Sequence, residues 1–455
     1  MTRFLVFAVL ACRGLARAAE KAPEYQKLRY EEDYRYLDAR GDFFDPIKYI
    51  PISSDGAAYL SLGGMLRERY EYQSNPLDGS QDRAGVFLQR YMLHADLHLG
   101  AHARAFAQLQ SALANGRRGG PSPVDEDQLD LHQAFVDIAL GIGGTLALTL
   151  RAGRQEMAYG SARLIDVRQG PNVRRSFDAA RVVLHAGGWQ VDGFAARPVL
   201  SGGGRFDSRR DPDQALWGAY GSGKASGLRG AALDLYYLGF QDDQGEYVQG
   251  TASETRHSLG GRLWGEAGGW DYNFESLFQW GHFGSAEIRA WTVASDTGHT
   301  WNDAPLQPRL GLRANVASGD DDPNDDVLET FNPLYPRGNY FNELATLGPR
   351  NFFDVHPFLT LKPHERLSVT ADWDFFWRQS LNDGLYSPAG ALIRGVGGSR
   401  AHYVGSAVSL TADWQLNRHL NLTTIYVHAF PAQFIRDTGP AESIDFIETT
   451  FTLTF

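Results

Sequence analysis

The chain has 455 residues, too many for one ordinary soluble core of ~100–200 residues. Hydrophobic residues make up 43% of it, yet mean hydropathy is −0.34 and no apolar run beyond the N-terminal end approaches the ~20 residues of a spanning helix, which excludes a helical membrane protein. A formal charge of −11 argues against nucleic acid as partner.

Residues 1–19 read as a signal peptide. Arg3 gives the positive start, Phe4 to Ala11 a short apolar run, and Ala16-Arg17-Ala18 a cleavage site before Ala19 or Glu20. Cys12, the only cysteine, falls inside this segment, so the mature chain carries no disulfide and no thiolate metal site. Removing Arg3, Arg13 and Arg17 leaves 40 basic against 54 acidic residues, about −14.

Residues 20–58 are polar, aromatic and charged, with Pro46 and Pro51, and read as a periplasmic lead-in. From Tyr59 the pattern becomes a period-2 alternation, the signature of strands. Leu60, Leu62, Leu66 and Tyr70 share one face; Ser61, Arg67, Arg69 and Glu71 share the other. Tyr91, Leu93, Leu97 and Leu99 oppose Arg90, His94, Asp96 and His98; Trp373 and Trp377 oppose Asp372, Asp374 and Arg378. One face suits lipid and the other water, and aromatics near the strand ends suit the interfacial girdles of a membrane barrel.

Repeating the exercise predicts about eighteen strands: 59–72, 86–99, 103–114, 130–140, 145–154, 179–186, 189–197, 215–222, 229–240, 256–266, 270–281, 286–293, 308–317, 353–362, 365–377, 402–416, 419–430 and 444–455. Each is close to the ~9–11 residues that cross a bilayer at a tilt. The connections alternate long and short, as expected for outer loops and periplasmic turns. The exceptions are 282–285, too short, and 294–307, too long. The fold expected for residues 59–455 is therefore an all-β, transmembrane antiparallel barrel in the outer membrane of a Gram-negative cell, in contact with lipid and lipopolysaccharide. Its last strand alternates Ile447, Phe451, Leu453 and Phe455 with Glu448, Thr450, Thr452 and Thr454. A terminal aromatic of this kind resembles the signal read by the bacterial barrel-assembly machinery.

The densest run of charge lies between Arg151 and Arg181: Arg151, Arg154, Arg163, Arg168, Arg174, Arg175 and Arg181 against Glu156, Asp166 and Asp178. It spans the third long loop. If that loop folds into the lumen, its arginines line a constriction, joined from other strands by Arg67, Arg69, Arg90, Arg104, Arg309 and Arg313. Arginine pairs with carboxylates through a planar fork and stays charged; rings of such residues select anions. The competing reading is ion pairing that holds the loop to the wall, and the two are compatible. Asp320, Asp321, Asp322, Asp325 and Asp326 form an acidic loop tip, but Asp325 stands where a calcium-loop glycine belongs and Phe331 where its final glutamate belongs, so a solvated outer loop is expected. His94 and His98 share a face and read as polar lumen lining. No metal or other cofactor is expected, and no G-x-S-x-G, H-E-x-x-H or phosphate-binding loop is present.

Several stretches together resemble the alginate export family. They include Leu62-Gly63-Gly64-Met65-Leu66-Arg67-Glu68-Arg69-Tyr70-Glu71, Gly153-Arg154-Gln155-Glu156, Gly170-Pro171-Asn172-Val173-Arg174-Arg175-Ser176-Phe177-Asp178 and Thr330-Phe331-Asn332-Pro333-Leu334-Tyr335-Pro336. The resemblance covers nearly the whole mature chain. It implies an eighteen-stranded barrel with an electropositive, arginine-lined route for an acidic polysaccharide. It carries the pore role to Arg67, Arg69, Arg154, Arg163, Arg174, Arg175 and Arg181. The leading expectation is a passive channel for anionic saccharides or small anions. The alternatives are an uptake porin for neutral nutrients with the arginines as loop anchors, and an outer-membrane hydrolase.

Overall fold

The computed structural model describes residues 25–35, 41–75, 85–143, 146–225, 227–228 and 230–455. The signal peptide expected at 1–19 lies outside the described residues.

Eighteen antiparallel strands form the wall. They are β1 Ala58–Gln73, β2 Gly85–Leu99, β3 Ala103–Asn115, β4 Asp127–Gly143, β5 Leu146–Gln155, β6 Phe177–Ala186, β7 Trp189–Leu200, β8 Gln214–Lys224 and β9 Ala231–Tyr247. The second half is β10 Gly250–Ala267, β11 Trp270–Phe283, β12 Ala286–Thr300, β13 Arg309–Ala317, β14 Phe352–His364, β15 Leu367–Trp377, β16 Tyr403–Gln415, β17 Leu420–Pro431 and β18 Ile444–Thr454. Each pairs with its sequence neighbours, and β18 also pairs with β1, from Met65 with Thr454 to Gln73 with Phe446. That last pairing closes the sheet and removes both edges, so the backbone polar groups are satisfied within the wall, as a bilayer requires.

The alternation read from the sequence is the alternation of the wall. Leu93, Leu259, Leu310 and Trp373 are exposed outward, while Arg90, Arg256, Gln279 and Asp374 are buried inward. Trp270 and Trp414 mark the periplasmic end of the outer face; Tyr70, Phe87, Phe353 and Phe430 ring the other end. Tight turns close the periplasmic side. Gly187-Gly188 and Gly268-Gly269 are two-residue turns with both φ angles positive (57° and 85°; 59° and 85°). That conformation matches strand twist and is open to glycine without strain.

All eighteen expected strands are present, and the short outer turn is real, made by Gly284 and Ser285. The long connection expected at 294–307 is not: β12 runs on to Thr300, leaving a periplasmic turn at 301–308. A second expectation needs the same correction. Residues 241–255 are not a long loop: β9 and β10 continue to Tyr247 and Gly250, leaving only Val248 and Gln249 between them. These strands hold 17 and 18 residues, more than a bilayer crossing uses. Above the membrane no lipid demands an apolar face, so polar strand there looks like loop.

The lead-in enters the barrel. Residues 42–52 sit at the periplasmic mouth, where His419 Nε2 lies 2.8 Å from Asp42 and Ile50–Pro51 pairs with Leu60 and Tyr59. The ring of Phe44 stacks on Phe455 at 4.9 Å. Residues 25–35 reach into the lumen, where Tyr30 packs edge-on against Phe106 and Phe135 of the wall.

Candidate functional site

Three elements fill one side of the lumen: residues 25–35, the loop 156–176 and part of the loop 318–351. The loop 156–176 does fold inward, with Met157, Val167 and Asn172 fully buried. It is stitched to the loop 318–351 by backbone hydrogen bonds. Tyr335 N–H donates to Leu164 O (2.8 Å), Asp166 N–H to Tyr335 O (2.9 Å) and Arg337 N–H to Ala162 O (3.1 Å). Residues 25–35 lock beneath them. Tyr30 Oη donates to Glu156 O (2.9 Å), and Arg29 donates to Gly64 O (2.9 Å) and Phe455 O (2.8 Å).

The sequence-selected arginines divide into two groups. Nine have carboxylate partners, Arg104 with Asp96 (2.7 and 2.6 Å) among them. Arg151 forms a two-pronged contact with Asp137 (2.7 and 2.8 Å) beneath the Tyr30 ring. Arg174 does the same with Glu156 (2.6 and 2.8 Å), which also lies 2.8 Å from His132 Nε2. Arg69 sits between Glu71 (3.1 Å) and Glu448 (3.3 Å), Arg154 meets Asp178 (2.9 Å), and Arg163 meets Glu275 (3.0 Å). Arg181 pairs with Asp192, Arg309 with Asp271 (2.5 Å), and Arg313 with Asp296 (3.1 Å).

Four of the thirteen, Arg67, Arg90, Arg168 and Arg175, have no carboxylate within ion-pair distance among the described residues. Arg67 and Arg90 give their donors to the loop backbone instead. Arg90 donates to the carbonyls of Gln169 (2.7 Å), Pro171 (2.7 Å) and Asn172 (2.9 Å); Arg67 to those of Gln169 (2.9 Å) and Gly170 (3.2 Å) and to Asn172 Oδ1 (3.0 Å). Asn172 reciprocates, its amide donating to Gln89 O, Leu113 O and Asp125 O. Arg168 donates to Val173 O (3.3 Å) and has a φ of 58°, a strained backbone for a residue other than glycine. Arg175 donates to Pro336 O (3.3 Å) and lies 5.1 Å from the centre of the Tyr335 ring.

Above these loops an outer cavity of about 1200 Å³ opens, floored in part by Arg168, Arg174 and Arg175. Nine arginines and ten carboxylates line it, so its overall charge is nearly balanced and any anion preference must be local. Sequence reading missed four of the lining arginines, Arg117, Arg118, Arg209 and, set beside aromatic rings, Arg350. Arg350 has no carboxylate partner among the described residues and lies 4.9 Å and 5.4 Å from the Tyr247 and Tyr386 ring centres. It stands in a loop without periodicity, where no pattern marks it. On the periplasmic side a cavity of about 420 Å³ is lined by Arg262, Asp271, Asn273 and Asp296. It shares Asn273 and Asp296 with a pocket of about 80 Å³ that also touches Arg163, Arg313 and Arg337. The junction of residues 162–165 with 335–337 borders both the outer cavity and the inner pocket: Tyr335 and Pro336 line the first, Arg163 and Arg337 the second.

Burial, then the neighbouring Arg175, pushes Arg168 down to about 9, and burial pushes Arg175 down to about 10. Both remain protonated at neutral pH. A carboxylate brought to them would restore the charge stabilisation that burial removes.

A family model described as alginate export matches residues 58–447. Among curated protein sequences none matches the chain. Solved structures share the fold. Pseudomonas aeruginosa OccK2 (OpdF) superposes with a TM-score of 0.58 at 12% identity, covering 87% of this chain and 98% of that one. OpdK with vanillate gives 0.57 at 11%, covering 87% and 98%, and OccD3 (OpdP) gives 0.56 at 12%, covering 90% and 93%. OccK2 (OpdF) is also known in complex with glucuronate, at a TM-score of 0.57, 11% identity and the same coverage.

Proposed function

The chain belongs to the alginate export family, and from that membership we propose that this outer-membrane channel passes anionic solutes, acidic saccharides foremost, by passive diffusion along arginines of its lumen. The observation that carries this reading is the group Arg168, Arg175 and Arg350 at the outer cavity, none with a carboxylate partner among the described residues. A half-buried, unneutralised guanidinium offers a two-pronged site to a solute carboxylate. Low-dielectric walls strengthen its field. The glucuronate and vanillate found with the Pseudomonas barrels are both carboxylates, which supports the same solute class here. Family and fold point to a channel without catalysis.

Reversal potentials in planar bilayers test the proposal. Anion selectivity is expected in the native channel and is lost or sharply reduced when Arg168 and Arg175 are both replaced by Ala. Cation selectivity that the double replacement leaves unchanged would sink it. The second reading, an uptake porin for neutral nutrients, draws on Arg67 and Arg90, whose donors serve the loop backbone. Liposome swelling separates the two: neutral sugars entering faster than uronates of the same size favours it.

A further inference from the structure

Near the outer end of the wall, β14 and β15 bring three metal-ligating side chains together on the lumen face, around the cross-strand pair Val355–Phe375. Asp354, His356 and Asp374 are 1%, 2% and 0% exposed, and one donor atom of each lies within 4.8 Å of the others. Asp354 and His356 are already held through their other atoms. Asn315 Nδ2 donates to Asp354 Oδ1 (2.8 Å), leaving Oδ2 without a partner. His356 Nε2 lies 2.9 Å from Asp372 Oδ1, which leaves Nδ1 turned toward Asp374 Oδ2 at 3.3 Å. Neither carboxylate oxygen of Asp374 has a hydrogen-bond partner.

Two fully buried carboxylates with three orphaned oxygens are costly unless a cation compensates them. Among the described residues no lysine or arginine pairs with either; the nearest guanidinium on the adjoining strand, Arg313, is engaged with Asp296 at 3.1 Å. The arrangement has the form of a metal site with its supports. The Asp372–His356 contact fixes the imidazole as outer-shell carboxylates do for ligating histidines, and Asn315 orients Asp354. The adjoining pocket of about 80 Å³ gives entry and room for a water. One imidazole nitrogen with two carboxylate oxygens suits Zn²⁺, Mn²⁺ or Fe²⁺ better than the all-oxygen preference of Ca²⁺ and Mg²⁺.

We propose that Asp354, His356 and Asp374 form a binding site for a divalent first-row transition cation in the lumen wall. The site stands independently of which solute the channel passes. The test uses the full mature barrel without a histidine tag, folded in detergent, stripped with chelator and dialysed against Zn²⁺, with metal per chain measured by elemental analysis. One Zn²⁺ per native chain is expected. D354N and D374N should lose it, D372N should bind roughly 10–100-fold more weakly as an outer-shell change does, and E287Q at the exposed outer end of β12 should bind as the native chain does. Heat-modifiable migration reports whether each variant is folded. X-ray absorption at the zinc edge of the native protein needs no variant; it should show one imidazole with oxygen donors, nitrogen at about 2.0–2.1 Å. No stoichiometric Zn²⁺, retention of it in folded D354N and D374N, or a spectrum with several imidazoles would overturn the proposal.

Discussion

At the scale of single residues, the lumen arginines differ by what they would leave behind. Arg174 and Glu156 are both nearly sealed from solvent, so removing one strands the other. Breaking a buried pair of this kind costs about 3–5 kcal/mol. R174A should therefore lower barrel stability by about that much in guanidinium unfolding followed by tryptophan fluorescence, whereas R175A, which strands no carboxylate, should leave it unchanged or higher. Asp320 makes a pH prediction. Burial, then Asp383, holds its carboxyl up to about 7. The folded loop thus keeps a proton that an unfolded aspartate, near pKa ~3.9, has released. Its stabilising contribution is complete below that unfolded value and disappears as pH rises through about 7. Hydrogen exchange across residues 318–331 should accelerate between pH 5 and 8 in the native chain and far less in D320N. Equal acceleration in both would remove Asp320 as the cause.

At the scale of elements, strands were legible where the bilayer enforces a rule. Between lipid and water every second residue must be apolar, so β2 could be read from Arg90, His94 and Asp96 against Leu93, Leu97 and Leu99. Above the membrane the rule lapses, and the outer parts of β9 and β10 passed for loop. The inward loops follow no period at all. Arg67 and Arg90 were marked as lumen residues by alternation, but their partners are the backbone carbonyls of residues 169–171 and of Asn172, which carry no side-chain signature. The polar residues 25–35 gave no hint that Tyr30 would meet Phe106 and Phe135. These contacts set the size of the route. Replacing Arg67 and Arg90 with Ala removes the grip on residues 169–172, and single-channel conductance should rise. Y30A, which releases the segment beneath, should raise it as well. Conductance unchanged in both would mean that the junction of residues 162–165 with 335–337 alone sets the bore.

At the scale of the whole molecule, net charge and selectivity separate. The chain is acidic overall, at −11, and the outer cavity is nearly balanced, yet four arginines at that cavity, Arg168, Arg175, Arg209 and Arg350, have no carboxylate partner among the described residues. A field from so few charges inside an otherwise neutral space is sensitive to the ions that enter with the solute. The screening length falls from about 10 Å at 0.1 M salt to about 3 Å at 1 M. At the lower salt each guanidinium influences much of the cavity; at the higher, only the ions that touch it. The anion-to-cation permeability ratio should therefore be well above one at 0.1 M and approach one at 1 M. With Arg168 and Arg175 both replaced by Ala, the ratio should be low at both concentrations and its salt dependence largely gone. A ratio that stays high at 1 M in the native channel would place selection in direct, desolvated contact at Arg163, Arg313 and Arg337 beside the inner pocket, and replacing those three in turn would then locate it.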